Sequence, residues 1–344
     1  MRLSSRFHTF QKEKIMRSRV LKLLKQKKPG YVSGEVMAGE LSVSRTAVWK
    51  AINSLQAEGY RIEGSPRRGY RLLQVPDRLY PAELAEWLQG ETIGVPAEKI
   101  HYFPSLESTN ETLKKIAEEG APEGTIVLAE EQSRGKGRLG RSWSSPRGKG
   151  IWLSVLLKPA VFPQEAPVFT LIAAVTITRA LNGTYAHMNA GIKWPNDILI
   201  REKKVCGILT ELKAETDRLH YLVIGIGLNA NQASEDFPPE LESTATSLYL
   251  ESSEKADRLA LTASVINELD HLYTTYRSQG TGPIIQEWKN SSMTLGRRVS
   301  VSQPAGSFFT GKAIDIREDG ALVVQGADGT QKHFHAGEVT LKKQ

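Results

Sequence analysis

Nine residues, GKGRLGRSW from Gly135 to Trp143, constrain this chain more than any other stretch, because the residues after them rule out the usual partners of such a loop. Two phosphate-cradling templates fit them in part. One is G-x-G-x-x-G through Gly135, Gly137 and Gly140; the other is G-x-x-x-x-G-K-[ST], with Arg141 in place of the lysine. Both require a helix to start at once, so that its amino terminus meets the phosphate. The continuation RSWSSPRGKGIWLSVLLKP forbids one through Pro146, Gly148 and Gly150, and IWLSVLL reads as a buried strand. GTIVLAEEQ upstream reads as another strand. A protein-kinase glycine loop also lies between strands, but neither H-R-D nor D-F-G occurs downstream. What remains is a strand–loop–strand bearing Arg134, Lys136, Arg138 and Arg141. Either its cations face an anion that the glycines let approach, or it is a solvated basic loop.

The charge distribution separates a second functional region. The 344 residues carry a net charge of +7, but residues 1–78 hold 17 Lys and Arg against 6 Asp and Glu, leaving 28 against 32 in the remainder. A strongly basic small domain on a mildly acidic body suggests a nucleic-acid module. Its residues agree. IMRSRVLKLLKQ places Met16, Val20, Leu23 and Leu24 on one helical face. Ser33 caps a short helix carrying Val36, Met37 and Leu41. A turn comes next at Ser42–Ser44, and Ser44 caps a second helix with the stripe Val48, Ile52, Leu55. That is a helix-turn-helix pattern, with Ser44, Arg45, Thr46, Trp49, Lys50 and Asn53 left to face DNA. YRIEGSPRRGYRLL adds a two-stranded wing with Arg67 and Arg68 at its tip. VPDRLYP makes the linker.

No apolar run approaches the ~20 residues that cross a bilayer, and FTLIAAVTITRAL reads as a buried helix. No h-region of a signal peptide is visible at the start, where residues 1–14 suggest a tail. One cysteine, Cys206, fits a reducing cytosol, so a cytoplasmic protein without membrane contact is expected.

Further candidate segments lie in the central region. ESTNETLKKIAEEG opens with a Ser108-x-x-Glu111 capping box, and directly after Ser108 come Thr109 and Asn110, which offer hydrogen bonds to a polar ligand. GIKWPNDILIREKKVCGILTEL turns at Pro195-Asn196-Asp197 and brings Lys204 to the start of a buried strand. YLVIGIGLNANQ is a glycine-bearing strand ending at Asn229 and Asn231. Together STNET, EEQSRGKGRLGRSW, KWPND, KKVCGIL and GIGLNAN resemble the biotin protein ligase family. With the basic module in front, the chain is similar to the bifunctional members that also repress biotin biosynthesis.

The resemblance implies an α+β protein: an N-terminal winged helix-turn-helix domain (1–78), a central mixed β-sheet with helices like that of class II aminoacyl-tRNA synthetases (79–292), and a small SH3-like β-barrel (293–344). It implies that biotin and ATP, with Mg²⁺, form biotinyl-5′-AMP. Biotin then passes to a lysine of a biotin carboxyl carrier protein, that of acetyl-CoA or pyruvate carboxylase. The adenylate acts as corepressor by favouring a homodimer that binds operator DNA. It further implies biotin contacts from Ser108, Thr109, Asn110, Gln132, Lys136, Gly137, Arg138 and Lys204. Catalytic roles fall to Lys204, Arg138 and Lys136. Arg141, Trp143, Asn196, Asp197 and Asn229 would hold the nucleotide, with Asp197 orienting the metal. Lys136 replaces the arginine usual in the family's G-R-G-R-x-G-R.

ADRLALTASVINELDHLYTTYRSQG reads as an amphipathic helix over the sheet, and residues from Leu295 on as short strands with Gly and Asp turns. His333 and His335 share a strand face but lack a third ligand for a metal. Three rival readings remain: a ligase without repressor function, a non-catalytic ligand-sensing regulator, and a lipoate ligase.

Overall fold

The computed structural model describes residues 16–302 and 307–341; the suggested tail lies outside them. The chain divides into two compact units between Asp77 and Arg78.

In the first unit, α1 (16–26), α2 (Gly34–Leu41) and α3 (Arg45–Ala57) precede the antiparallel pair β1 (Arg61–Ser65) and β2 (Gly69–Gln74). The helix starts are set by their serines. Ser33 Oγ accepts from Val36 N and Ser44 Oγ from Ala47 N, each at 3.1 Å, which satisfies N–H groups with no partner inside the helix. Ser42 takes a left-handed conformation and ends α2. Val20, Leu24, Met37, Leu41, Val48, Ile52, Leu55 and Leu72 are buried. The expected stripes need small corrections: Met16 and Leu23 are only half-buried while Leu21 is buried, and Val36 is exposed. Val32 exchanges backbone bonds with Tyr70, extending the wing beyond two strands.

The second unit is built on a seven-stranded mixed sheet in the order β3-β4-β5-β9-β8-β7-β6. These are β3 (Ile100–Phe103), β4 (Ile126–Ala129), β5 (Gly150–Leu157), β6 (Gly191–Lys193), β7 (Asp197–Ile200), β8 (Lys203–Ala214) and β9 (Leu219–Asn229). β3 and β4 are parallel and every other pair is antiparallel. β5 is buried along its whole length, since both sheet faces are covered there, which is why it reads as one apolar run. Of the remaining helices, α4 (Pro81–Leu84) is one turn, and α5 (Thr109–Glu118) packs on β4, β5 and β9. α6 (Pro167–Thr184) packs against β6 to β9, and α8 (Arg258–Gln279) and α9 (Gly282–Asn290) pack on α6.

Two expectations change here. By length and composition the stretch Pro163–Thr184 is apolar enough to cross a bilayer, but 72% of its most apolar window is buried in the protein. Sheet on one side and helices on the other bury most of it, with Thr170, Arg179 and Asn182 half-buried at its margins. α8, expected over the sheet, lies mainly on α6 and reaches the sheet at β5. α7 (Leu248–Ser252) is short. The carboxyl-terminal strands β10 (Arg298–Ser302), β11 (Phe308–Ile316), β12 (Leu322–Gln325), β13 (Gln331–Phe334) and β14 (Val339–Leu341) form an antiparallel sheet in the order β13-β12-β11-β10-β14.

Candidate active site

The glycine stretch does connect two strands, β4 and β5, and its only helical element is a single turn at Arg138–Gly140. It folds back on itself, with Gly137 N donating to Arg141 O at 2.7 Å and Trp143 N to Gly135 O at 2.8 Å. This hairpin forms one wall of a cavity of about 700 Å³. Every residue assigned above to biotin, nucleotide, metal or catalysis lines that cavity: Ser108, Thr109, Asn110, Gln132, Lys136, Gly137, Arg138, Arg141, Trp143, Asn196, Asp197, Lys204 and Asn229. They come from five separated segments, brought together because adjacent strands end at the same edge of the sheet.

The polar wall is the first turn of α5. Gln132 Oε1 accepts from Thr109 N (2.8 Å) and Thr109 Oγ1 (3.0 Å), while its Nε2 donates to Ser145 Oγ (2.8 Å). Asn110 Nδ2 donates to Glu211 Oε2 (2.8 Å) and Leu209 O (3.2 Å). Ser154 Oγ, on buried β5, lies 2.7 Å from Thr109 Oγ1 and 2.6 Å from Asn110 Oδ1. Gln132 thus holds the orientation of Thr109 rather than pointing freely inward. The Ser108-x-x-Glu111 capping box is not formed. Ser108 makes no side-chain cap, and the Glu111 carboxylate, which would complete the other half of the box, is taken by Lys114 (2.8 Å) and by Lys136 (2.6 Å). Those two ammonium groups, Lys114 first, hold the Glu111 carboxyl below the usual glutamate range. Lys136 accordingly sits at the cavity rim, tied to α5.

The cationic wall is formed by Lys204, Arg138 and Arg141. Lys204 Nζ lies 2.6 Å from Asp197 Oδ1 and 5.1 Å from the centroid of the Trp143 ring. Arg138 donates from Nη1 to Asn196 Oδ1 (3.0 Å) and from Nη2 to Gly337 O (3.3 Å), and burial draws its guanidinium below the ordinary arginine value. Arg141 pairs with Glu338 at 2.6 Å, so the strand-bearing carboxyl-terminal region closes this side. Asn196 also donates to Ile208 O (2.7 Å), and Asn229 to Thr246 O (3.0 Å). The Trp143 indole lies over Gly207 and Gly227, where any side chain would collide with it, and its buried Nε1–H has no acceptor. Asn231, by contrast, is spent on the backbone of Ala256.

No group of three or more His, Cys, Asp or Glu able to hold a metal exists among the described residues. The acids lining the cavity are each paired: Asp197 with Lys204, Glu202 with Arg297, Asp236 with Lys149, and Glu338 with Arg141. Such a lining fits a magnesium ion brought on nucleotide phosphates, which needs one or two carboxylates, and not a resident metal. His333 and His335 are exposed. Sequence reasoning missed Ser154, Glu211 and Glu338. Ser154 carried a signal, a lone hydroxyl in an apolar strand; Glu338 carried none.

In the first unit, Arg45, Thr46, Trp49, Lys50 and Asn53 are all exposed on α3, and Arg67 and Arg68 at the wing tip. Trp49 is 53% exposed, far beyond what core packing leaves. Arg68 stacks on the Tyr31 ring at 4.3 Å, which stiffens one side of the wing.

The fold and cavity define a class, a ligase body joined to a helix-turn-helix module, and the comparisons agree. Residues 17–71 match a model described as an HTH domain, residues 102–229 the Biotin/lipoate A/B protein ligase family, and residues 294–342 the Biotin protein ligase C terminal domain. The Bifunctional ligase/repressor BirA of Bacillus spizizenii is 39% identical over 93% of this chain and 97% of its own length. That of Escherichia coli is 29% identical over 90% and 92%. Among solved structures, a biotin protein ligase from Aquifex aeolicus in complex with biotin and ATP superposes with a TM-score of 0.60 at 27% identity, covering 71% of this chain and 99% of that one. The chain belongs to the biotin protein ligase family, in its bifunctional ligase/repressor branch.

Proposed function

We propose that the cavity joins biotin to AMP and that the product serves both carrier modification and repression. A biotin carboxylate oxygen attacks the α-phosphorus of ATP, the bond to the bridging oxygen of the β-phosphate breaks, and pyrophosphate leaves with the electron pair. The barrier is the meeting of two anions. Lys204, with Arg138 and Arg141, neutralises the carboxylate and the non-bridging oxygens, and charges already held in place act without reorganising. Asp197 holds the Lys204 ammonium in place, and its carboxylate would also serve a magnesium ion brought on the phosphates, which would spread their charge. Thr109 and Asn110, braced by Gln132, Ser154 and Glu211, orient the ring end of biotin. Lys136 fastens the loop at the rim.

In the second step the ε-amine of a carrier lysine attacks the acyl carbon, loses a proton, and expels AMP. The carrier is the biotin carboxyl carrier domain of acetyl-CoA or pyruvate carboxylase. The adenylate-bound form pairs into a homodimer that places two winged helices on operator DNA, the adenylate acting as corepressor because it binds that state more tightly. Domain limits of 1–78, 79–292 and 293–344 suit these roles, and a cytoplasmic location fits the DNA target and the single buried Cys206.

The reading rests on one observation: Lys204, Arg138 and Arg141 share a cavity with the polar first turn of α5. Pyrophosphate release on mixing the protein with biotin and ATP, with retained biotinyl-AMP detected by mass spectrometry, tests it. Absence of release refutes catalysis, and competition by lipoic acid would shift the substrate. A gel shift of a biotin-operon palindrome that does not respond to biotin plus ATP would leave the ligase without repression.

A further inference from the structure

The geometry points to Arg258 and Glu130 as positioning residues that clasp the two stems of the glycine loop and thereby set how firmly the cavity keeps its adenylate; the second half of this inference rests on the ligase reading above. β4 and β5 pair as far as Ala129 and Trp152, and beyond that point the strands part to let out residues 131–149. Arg258 fills the fork. Its Nη2 donates to Glu130 Oε2 at 2.9 Å on the outgoing stem, and its Nη1 to Gly150 O at 3.1 Å on the returning one. The second carboxylate oxygen of Glu130 accepts from Leu79 N at 3.1 Å. Backbone bonds continue the closure: Glu130 N donates to Phe103 O (3.1 Å) and Gly148 N to Glu130 O (3.0 Å). Gly150 stands opposite Asn229, a cavity residue.

Both partners are buried, the side chains 1% and 2% exposed. An ion pair so deep gives little net stability over well-packed apolar side chains, which are often as stable or better. What charged groups provide here is direction, since each of their bonds goes to a different piece of chain that meets at the loop mouth. Arg258 is also the first residue of α8, a long core helix, so the fork is referred to a rigid element. Arg138, Arg141 and Trp143 all hang from the loop, eight to thirteen residues from the Glu130 stem by sequence number. A loosened fork moves them all relative to Lys204, which sits on β8 and is untouched.

Two variants separate positioning from simple core filling. Arg258→Lys keeps the charge opposite Glu130 but loses the planar fork that reaches both stems. Glu130→Leu combined with Arg258→Met keeps the core filled without any stem bond, and guards against loss of the fold through a lone buried charge. Amide hydrogen exchange in the full chain is compared with wild type without substrates, and dissociation of preformed biotinyl-AMP is then timed. The expected result is faster exchange at Gly137, Trp143 and Gly148, about tenfold or more in the double variant and less in Arg258→Lys, with β8 and β9 unchanged, and adenylate loss accelerated in the same order. Unchanged loop exchange, or faster exchange spread equally over the sheet, overturns the clasp. Faster loop exchange in the variants of a protein that makes no adenylate from biotin and ATP would leave the clasp standing and refute the ligase reading instead.

Discussion

The Lys204 ammonium stands 2.6 Å from the Asp197 carboxylate, across the β7–β8 hairpin that carries both. The pairing is only partly buried, 31% and 21% exposed, so it aims the cation more than it stabilises the fold. An ammonium held in this way is ready for an anion without having to be ordered first.

Replacing Lys204 by alanine therefore removes charge stabilisation and little else. Adenylate formation should fall about 10²–10³-fold, as for loss of one preorganised donor. The thermal midpoint should move by no more than about 2–4 °C, roughly 1 kcal/mol for a body of this size. Pyrophosphate release and a melting curve measure both, and near-normal release would take Lys204 out of the chemistry.

Gly227→Ala probes the shelf under Trp143. A methyl group there meets the indole, which hangs from a loop and yields before the strand does. KM for biotin and ATP should rise about tenfold, in line with costs of 1–3 kcal/mol for overpacking. Tryptophan fluorescence should shift with it. Unaltered KM values would mean that the indole takes no part in holding substrate.

The Glu111 carboxyl is held below its usual value of 4.5 by Lys114 and Lys136. A depressed acid contributes fully above its unfolded value and loses the contribution as pH falls through the folded one. At neutral pH, Glu111→Gln should destabilise the fold by about 0.2–1 kcal/mol, the scale of a partly exposed pair. Melting curves of variant and wild type should converge as pH falls below 4.5; a difference constant with pH would show that the contact of Glu111 with Lys114 and Lys136 is not ionic.

At the wing tip, Arg67→Ala with Arg68→Ala should weaken operator binding while leaving ligase rates unchanged. Each lost phosphate contact lowers the salt slope of log K against log salt by about 1. Gel shifts at several salt concentrations read the slope directly. A double variant with wild-type slope would place the wing off the DNA.

Much of this protein is determined locally. Serine caps at Ser33 and Ser44, the stripe Val48, Ile52, Leu55 and the prolines and glycines after Trp143 act over a few residues, so the helix-turn-helix and the strand–loop–strand were legible from sequence. The glycines of β9 were visible in the sequence, but not what would pack against them. Only the tertiary structure decided that Gly225 would face Asn110 and Gly227 would face Trp143, that Glu111 would abandon the cap at Ser108 for Lys136, and that Glu338 would meet Arg141 from nearly two hundred residues away. The reason is physical. Caps and periodicity depend on neighbours along the chain, whereas which charges meet in a cavity depends on strand order and register, and these are set by burial across the whole sheet.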